Sequence, residues 1–109
     1  MKKFILGIVL LLGINHVEAA EASQATTISR FISYNQFGGG DVVFRIANPT
    51  ANCYGYWISK SDAGFNANLS LILAAYQAKT KIKAYGHTDK KWAGSGNFWC
   101  KLYAIEYPG

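Results

Sequence analysis

The chain has 109 residues, half of them hydrophobic, and a formal net charge of +5. That length allows one small domain, not several. The positive balance favours anionic surfaces or glycans over cationic partners, but it falls short of the basic density of a dedicated nucleic-acid binder, and no nucleic-acid partner is expected.

The first residues have the layout of a cleavable export signal. Lys2 and Lys3 form a basic start, Phe4 to Ile14 is an apolar run of 11 residues, and Val17-Glu18-Ala19 places small residues where a signal peptidase reads. A bilayer needs about 20 apolar residues, so this run is too short to be an anchor. Residues 1–19 are therefore expected to be removed, with Ala20-Glu21-Ala22 offering a second cleavage site. No later stretch is apolar enough to cross a membrane. Residues 20–109 remain as a single domain, with 9 basic and 5 acidic residues once Lys2, Lys3 and Glu18 are gone. The expected location is periplasmic or secreted.

Residues 20–27 are small and polar and are expected to be a loose N-terminus. Ile28 to Tyr34 is rich in β-formers. Gly38-Gly39-Gly40 suits a hairpin turn, because glycine accepts positive φ. Asp41 to Ala47 reads as a second strand, with Val42, Phe44 and Ile46 on one face and Val43 and Arg45 on the other. After a turn at residues 48–52, Tyr54 to Ser59 reads as a third strand.

The period then changes. Leu69, Ile72, Leu73 and Tyr76 recur at helical spacing, which predicts a helix over residues 67–79. Asn66 or Asn68 is placed to cap its start, and Lys79 suits the negative end of its dipole. Leu71, Ala74, Ala75 and Ala78 leave a second small, apolar side that could pack against neighbouring copies, so a homo-oligomer through this helix is a candidate. Thr80 to His87 alternates again, with Lys81, Lys83, Tyr85 and His87 sharing one face. Residues 88–97 read as a polar loop carrying Trp92, and Phe98 to Tyr107 as the last strand.

The order β-β-β-α-β-β is that of an OB-fold, a five-stranded Greek-key barrel with a helix after its third strand. The alternative is a two-layer α+β sandwich with an antiparallel sheet and one helix. Cys53 and Cys100 are the two cysteines, and an exported chain meets oxidising conditions, so they are expected to form a disulfide.

No catalytic constellation can be assembled. The carboxylates Glu21, Asp41, Asp62, Asp89 and Glu106 form no pair suited to acid/base work, and His87 has no nucleophile in view. Two bridged cysteines and one histidine cannot complete a zinc site, so neither metal nor cofactor is expected. Aromatic residues are the abundant type: after signal removal 15 of 16 remain, concentrated on the third to fifth strands. Aromatic planes stack on the C–H faces of sugars while neighbouring polar groups bond the hydroxyls. Lys83, Tyr85, Trp92 and Trp99 are the candidate ligand-binding residues on this reading. A small structural or inhibitory protein acting by protein contact is the alternative.

The signal, the strand order, Cys53 opening the third strand, the segment Asn68-Leu-Ser-Leu-Ile-Leu-Ala-Ala-Tyr-Gln-Ala-Lys-Thr-Lys-Ile and a closing strand with Cys100 together resemble the small B subunits of subtilase-cytotoxin and pertussis-like toxins. The resemblance spans roughly residues 28–107 and implies an OB-fold, ring oligomers and glycan recognition. It is a likeness of layout and assigns no sugar-binding residue.

Overall fold

A computed structural model describes residues 20–109; the expected export signal lies outside the described residues. Six strands are present: β1 Glu21–Ala22, β2 Ile28–Ser33, β3 Val42–Ile46, β4 Gly55–Ile58, β5 Lys83–Lys91 and β6 Trp99–Glu106. One α-helix, α1 Phe65–Ala78, follows β4. The strands form one mixed sheet in the order β1-β5-β6-β4-β3-β2, antiparallel throughout except for the parallel pair β4–β6.

The expected barrel is not closed. β1 lies at one edge of the sheet and β2 at the other, although they are neighbours in the chain. Thr26 exchanges both backbone hydrogen bonds with Ile82 beside β5, whereas the next residue, Thr27, accepts from Ala47 beside β3. The chain thus changes edges at a single bridge, and no ladder joins β2 to β5. The two-layer alternative predicts an all-antiparallel sheet, which the β4–β6 pair contradicts.

The N-terminus is not loose. β1 pairs with β5 through Glu21↔Gly86 and Ala22↔Tyr85, buried Ser23 bonds to Ala84 of the same strand, and buried Thr26 bonds to Ile82 just before it. Its polar composition hides this because the hydroxyls serve the backbone: Ser23 Oγ accepts from Ala84 N at 3.0 Å, and Thr26 Oγ1 accepts from Asn48 N at 3.0 Å. The turn at Gly38–Gly40 forms as expected, with φ of +65°, +83° and +107° that only glycine adopts without strain.

One face of the sheet holds the main core. Val42, Phe44 and Ile46 from β3, Tyr56 and Ile58 from β4, Ala84 from β5 and Leu102 from β6 meet Ile72 and Ala75 of α1. The helix buries a stripe of Phe65, Leu69, Ile72 and Ala75 rather than the expected one, for Leu73 is 45% exposed and Tyr76 37% exposed. Neither Asn66 nor Asn68 caps it. Gly64 is the N-cap, without a side-chain bond, and both asparagines lie inside the helix. Lys79 closes it in the left-handed conformation, its N–H bonded to Ala75 O.

The Cys53–Cys100 disulfide forms, with Cα atoms 5.4 Å apart, and lies fully buried beside Tyr56 and Gly86. Gly86 is required there: a Cβ would stand 2.7 Å from the Tyr56 ring and 2.9 Å from Cys100 Cβ. Among the described residues no helix is long and apolar enough to cross a membrane.

Candidate functional site

The face of the sheet opposite the main core is organised in rows by strand register. Ile32, Val43, Trp57, Lys101 and His87 are successive partners across β2, β3, β4, β6 and β5, so they stand side by side on one face. At the β2–β3 end the row is roofed by aromatics. Trp92 and Trp99 pack edge-to-face with centroids 6.0 Å apart and cover Val43. Tyr34 and Phe37 add rings 5.6 Å and 5.3 Å from Trp92.

At the β5–β6 end the face opens into a cleft of about 570 Å³. Trp57, His87, Lys101 and Tyr103 form its floor, and Asp62 and Asn68, at the entry to α1, form one wall. On β6 the floor follows from alternation: Lys101 and Tyr103 flank Leu102, which belongs to the core. The wall is anchored by one carboxylate. Asp62 Oδ1 lies 2.6 Å from Lys101 Nζ, and Asp62 Oδ2 accepts from Ser59 N at 2.8 Å, so the turn before α1 is fastened to β6. Lys101 also lies 4.0 Å above the Trp57 ring centroid, a cation–π contact, while Trp57 Nε1 donates to Lys90 O at 3.1 Å. Trp57 is thereby fixed. Tyr103, 64% exposed, lines the cleft and packs edge-to-face with the His87 ring, centroids 5.3 Å apart.

The four residues expected to bind ligand fall into two groups, and neither lies in this cleft. Lys83 and Tyr85 are on the outward face of β5, as alternation predicts, at the strand's beginning. Tyr85 Oη donates to Glu106 Oε1 at 2.6 Å, and this bond, ahead of desolvation, raises the Tyr85 pKa. Lys83 Nζ is 6.0 Å from the Tyr85 ring. Trp92 and Trp99 lie at the other end of the β5–β6 pair: Trp92 N donates to Trp99 O, whereas Lys83 pairs with Glu106.

Trp92 is not on an exposed loop. β5 runs on to Lys91, Trp92 is 5% exposed and Trp99 7% exposed. Trp92 Nε1 donates to buried Asp41 at 2.9 Å. These indoles form a second small core instead of an open platform. The residues that sequence reasoning passed over are Asp62, Asn68, His87 and Lys101. The signal that reaches one of them was present, since the Lys83–Tyr85–His87 alternation itself ends at the cleft.

Among the described residues no group of three or more His, Cys, Asp or Glu side chains could hold a metal ion. What the cleft offers is a stacking surface with hydrogen-bonding groups on either side: an amide from Asn68, a carboxylate from Asp62, ammonium groups from Lys90 and Lys101, and the imidazole of His87. No protein-family model, curated protein or solved structure matches the chain.

Proposed function

We propose that the chain is an exported, non-catalytic binding module that recognises a glycan in the cleft between α1 and the β4–β6–β5 surface. The observation that carries the reading is the exposed Tyr103 ring in the cleft floor beside His87, Lys101 and Trp57, with Asn68 and Asp62 on the wall. A pyranose needs one flat aromatic face and several fixed donors and acceptors, and this cleft supplies both. The strand order is compatible with a partly open Greek-key barrel of OB type, and the buried disulfide fits an oxidising periplasmic or extracellular location. A role like that of a toxin B subunit belongs to the same reading.

The test is a glycan array followed by calorimetry on the best ligand. Tyr103→Ala and Asn68→Ala should each weaken binding by about fivefold while leaving the thermal midpoint nearly unchanged, since stacking and a fixed hydrogen bond are each worth about 1 kcal/mol. Wild-type protein that binds no glycan, or a Tyr103→Ala variant that binds equally well, would overturn the reading. Protein–protein contact through α1, including a homo-oligomer, is the second reading, favoured by exposed Leu73 and Tyr76 beside Phe31. A pull-down that survives Tyr103→Ala but fails with Leu73→Asp would support it in place of the first.

A further inference from the structure

We propose that Arg30 and Arg45 form a binding site for a tetrahedral oxyanion, a phosphate or sulfate group, at the β2–β3 end of the sheet face opposite the main core.

The two arginines are direct cross-strand partners, Arg30 on β2 and Arg45 on β3. Like charges in that position disfavour strand pairing unless something neutralises them. No carboxylate of the described residues does so. Glu21 accepts from Thr50 and Asn52, Asp41 from Trp92, and Glu106 from Tyr85, while Asp62 is paired with Lys101. Asp89 lies on β5, separated from β3 by β6 and β4.

Arg45 is short of a partner in a second sense. Its Nε is buried with no acceptor. Its guanidinium lies 4.0 Å from the Tyr54 ring centroid, a stacking contact that orients the fork while leaving the Nη groups without a bond to any carboxylate. The next residues along the same row are Gly55 and Trp99, and Tyr54 packs edge-to-face on both Trp99 and Phe98. Phe98 is 60% exposed. The result is a doubled, uncompensated positive charge bordered by open aromatic surface.

The choice of a tetrahedral anion follows from donor geometry. One guanidinium fork saturates the two oxygens of a carboxylate. Two guanidinium groups carried by cross-strand partners can together serve a phosphate or sulfate, which has oxygens enough for both and carries more charge. The source is either the free ion or a monoester on a larger molecule whose body would meet Tyr54 and Phe98. The site does not rest on the glycan reading, because its residues are separate from those of the cleft.

The experiment is NMR titration of the arginine Nε–Hε and backbone amide signals of residues 20–109 with sodium phosphate and sodium sulfate, against sodium chloride at equal ionic strength. Saturable shifts at Arg30, Arg45 and Tyr54 are expected with phosphate and sulfate only. Arg30→Gln, at an exposed position, should weaken the binding at least about tenfold, the worth of one charged bidentate contact, and Arg30→Lys should restore only part of it. Equal shifts with chloride, undiminished binding by Arg30→Gln, or shifts centred on Lys90 and Lys101 would each overturn the proposal. Phenyl phosphate identifies the source. Tighter binding than inorganic phosphate, lost in Phe98→Ala, assigns a monoester; equal affinity assigns the free ion; and either result supports the site.

Discussion

Tyr56 illustrates how a single side chain sets a pH limit. It is fully buried in the core against the Phe44 ring at 5.4 Å, and its hydroxyl has no hydrogen-bond partner. Burial, with a smaller contribution from the Glu21 charge, pushes its pKa up to about 12 from 10.0. The neutral phenol is therefore the form the folded state accepts, whereas the unfolded chain ionises near the ordinary value. Stability is fully present below pH 10 and falls as pH rises towards 12, because the unfolded state gives up a proton that the folded state keeps. The loss approaches roughly 2–3 kcal/mol at the top of that window. Urea midpoints measured at pH 8 and pH 11.5 should show this fall, and Tyr56→Phe should remove the part due to Tyr56. The same variant should cost little at pH 8, since the lost hydroxyl bonds nothing. A Tyr56→Phe protein with an unchanged alkaline fall would show that other groups carry it.

At the level of elements, α1 separates what period alone tells from what packing decides. Helical spacing makes Leu69, Ile72, Leu73 and Tyr76 equal candidates for burial. The sheet accepts Ile72 and Ala75, so Leu73 and Tyr76 remain at the surface. Ile72→Ala should accordingly cost about 2–5 kcal/mol, and Leu73→Ala well under 1 kcal/mol, in chemical denaturation. Similar costs for both would mean that the helix is rotated about its axis. The strands show the same division. β3 was legible because its alternation is strict: Val42, Phe44 and Ile46 face the core as the pattern requires. β1 was not legible, because two residues have no period and its pairing with β5 is extended by the Ser23 hydroxyl, which accepts from Ala84 N 61 positions away. The extension of β5 to Lys91 was hidden by a polar run, and Trp92 was hidden with it, since its burial depends on Asp41, 51 positions away. The cleft was half legible. Its floor comes from alternation on β5 and β6, but its wall comes from the way Asp62 fastens the entry of α1 to Lys101, which local sequence does not encode.

For the whole molecule, the weakest point of the topology is the parallel pair β4–β6. Antiparallel neighbours can be joined by a tight turn, but parallel strands need a crossover, and here the crossover includes both α1 and β5. Bringing β4 and β6 together therefore closes the long loop between them before any of their contacts form. The disulfide lies at that junction: Cys53 precedes β4 by one residue of turn, Cys100 lies within β6 opposite Tyr56, and the two are 47 positions apart. Closing a loop of that length in the unfolded chain is worth roughly 4 kcal/mol on the chain-entropy estimate. A domain of this size has a total stability on the order of 5–10 kcal/mol, so the bridge supplies a large part of it. Cys53→Ala/Cys100→Ala, and equally the reduced wild type, should lose roughly 2–5 kcal/mol in urea unfolding. Hydrogen exchange should then place the earliest opening at β4 and β6, while the β2–β3 hairpin, closed by its own glycine turn, keeps more of its protection. A loss below about 1 kcal/mol would mean that packing of Tyr56, Gly86 and Leu102 holds β4 to β6 without the covalent link. The predicted loss also explains why an oxidising compartment matters to this chain: its one non-local parallel pairing is held by a bond that a reducing cytoplasm would open.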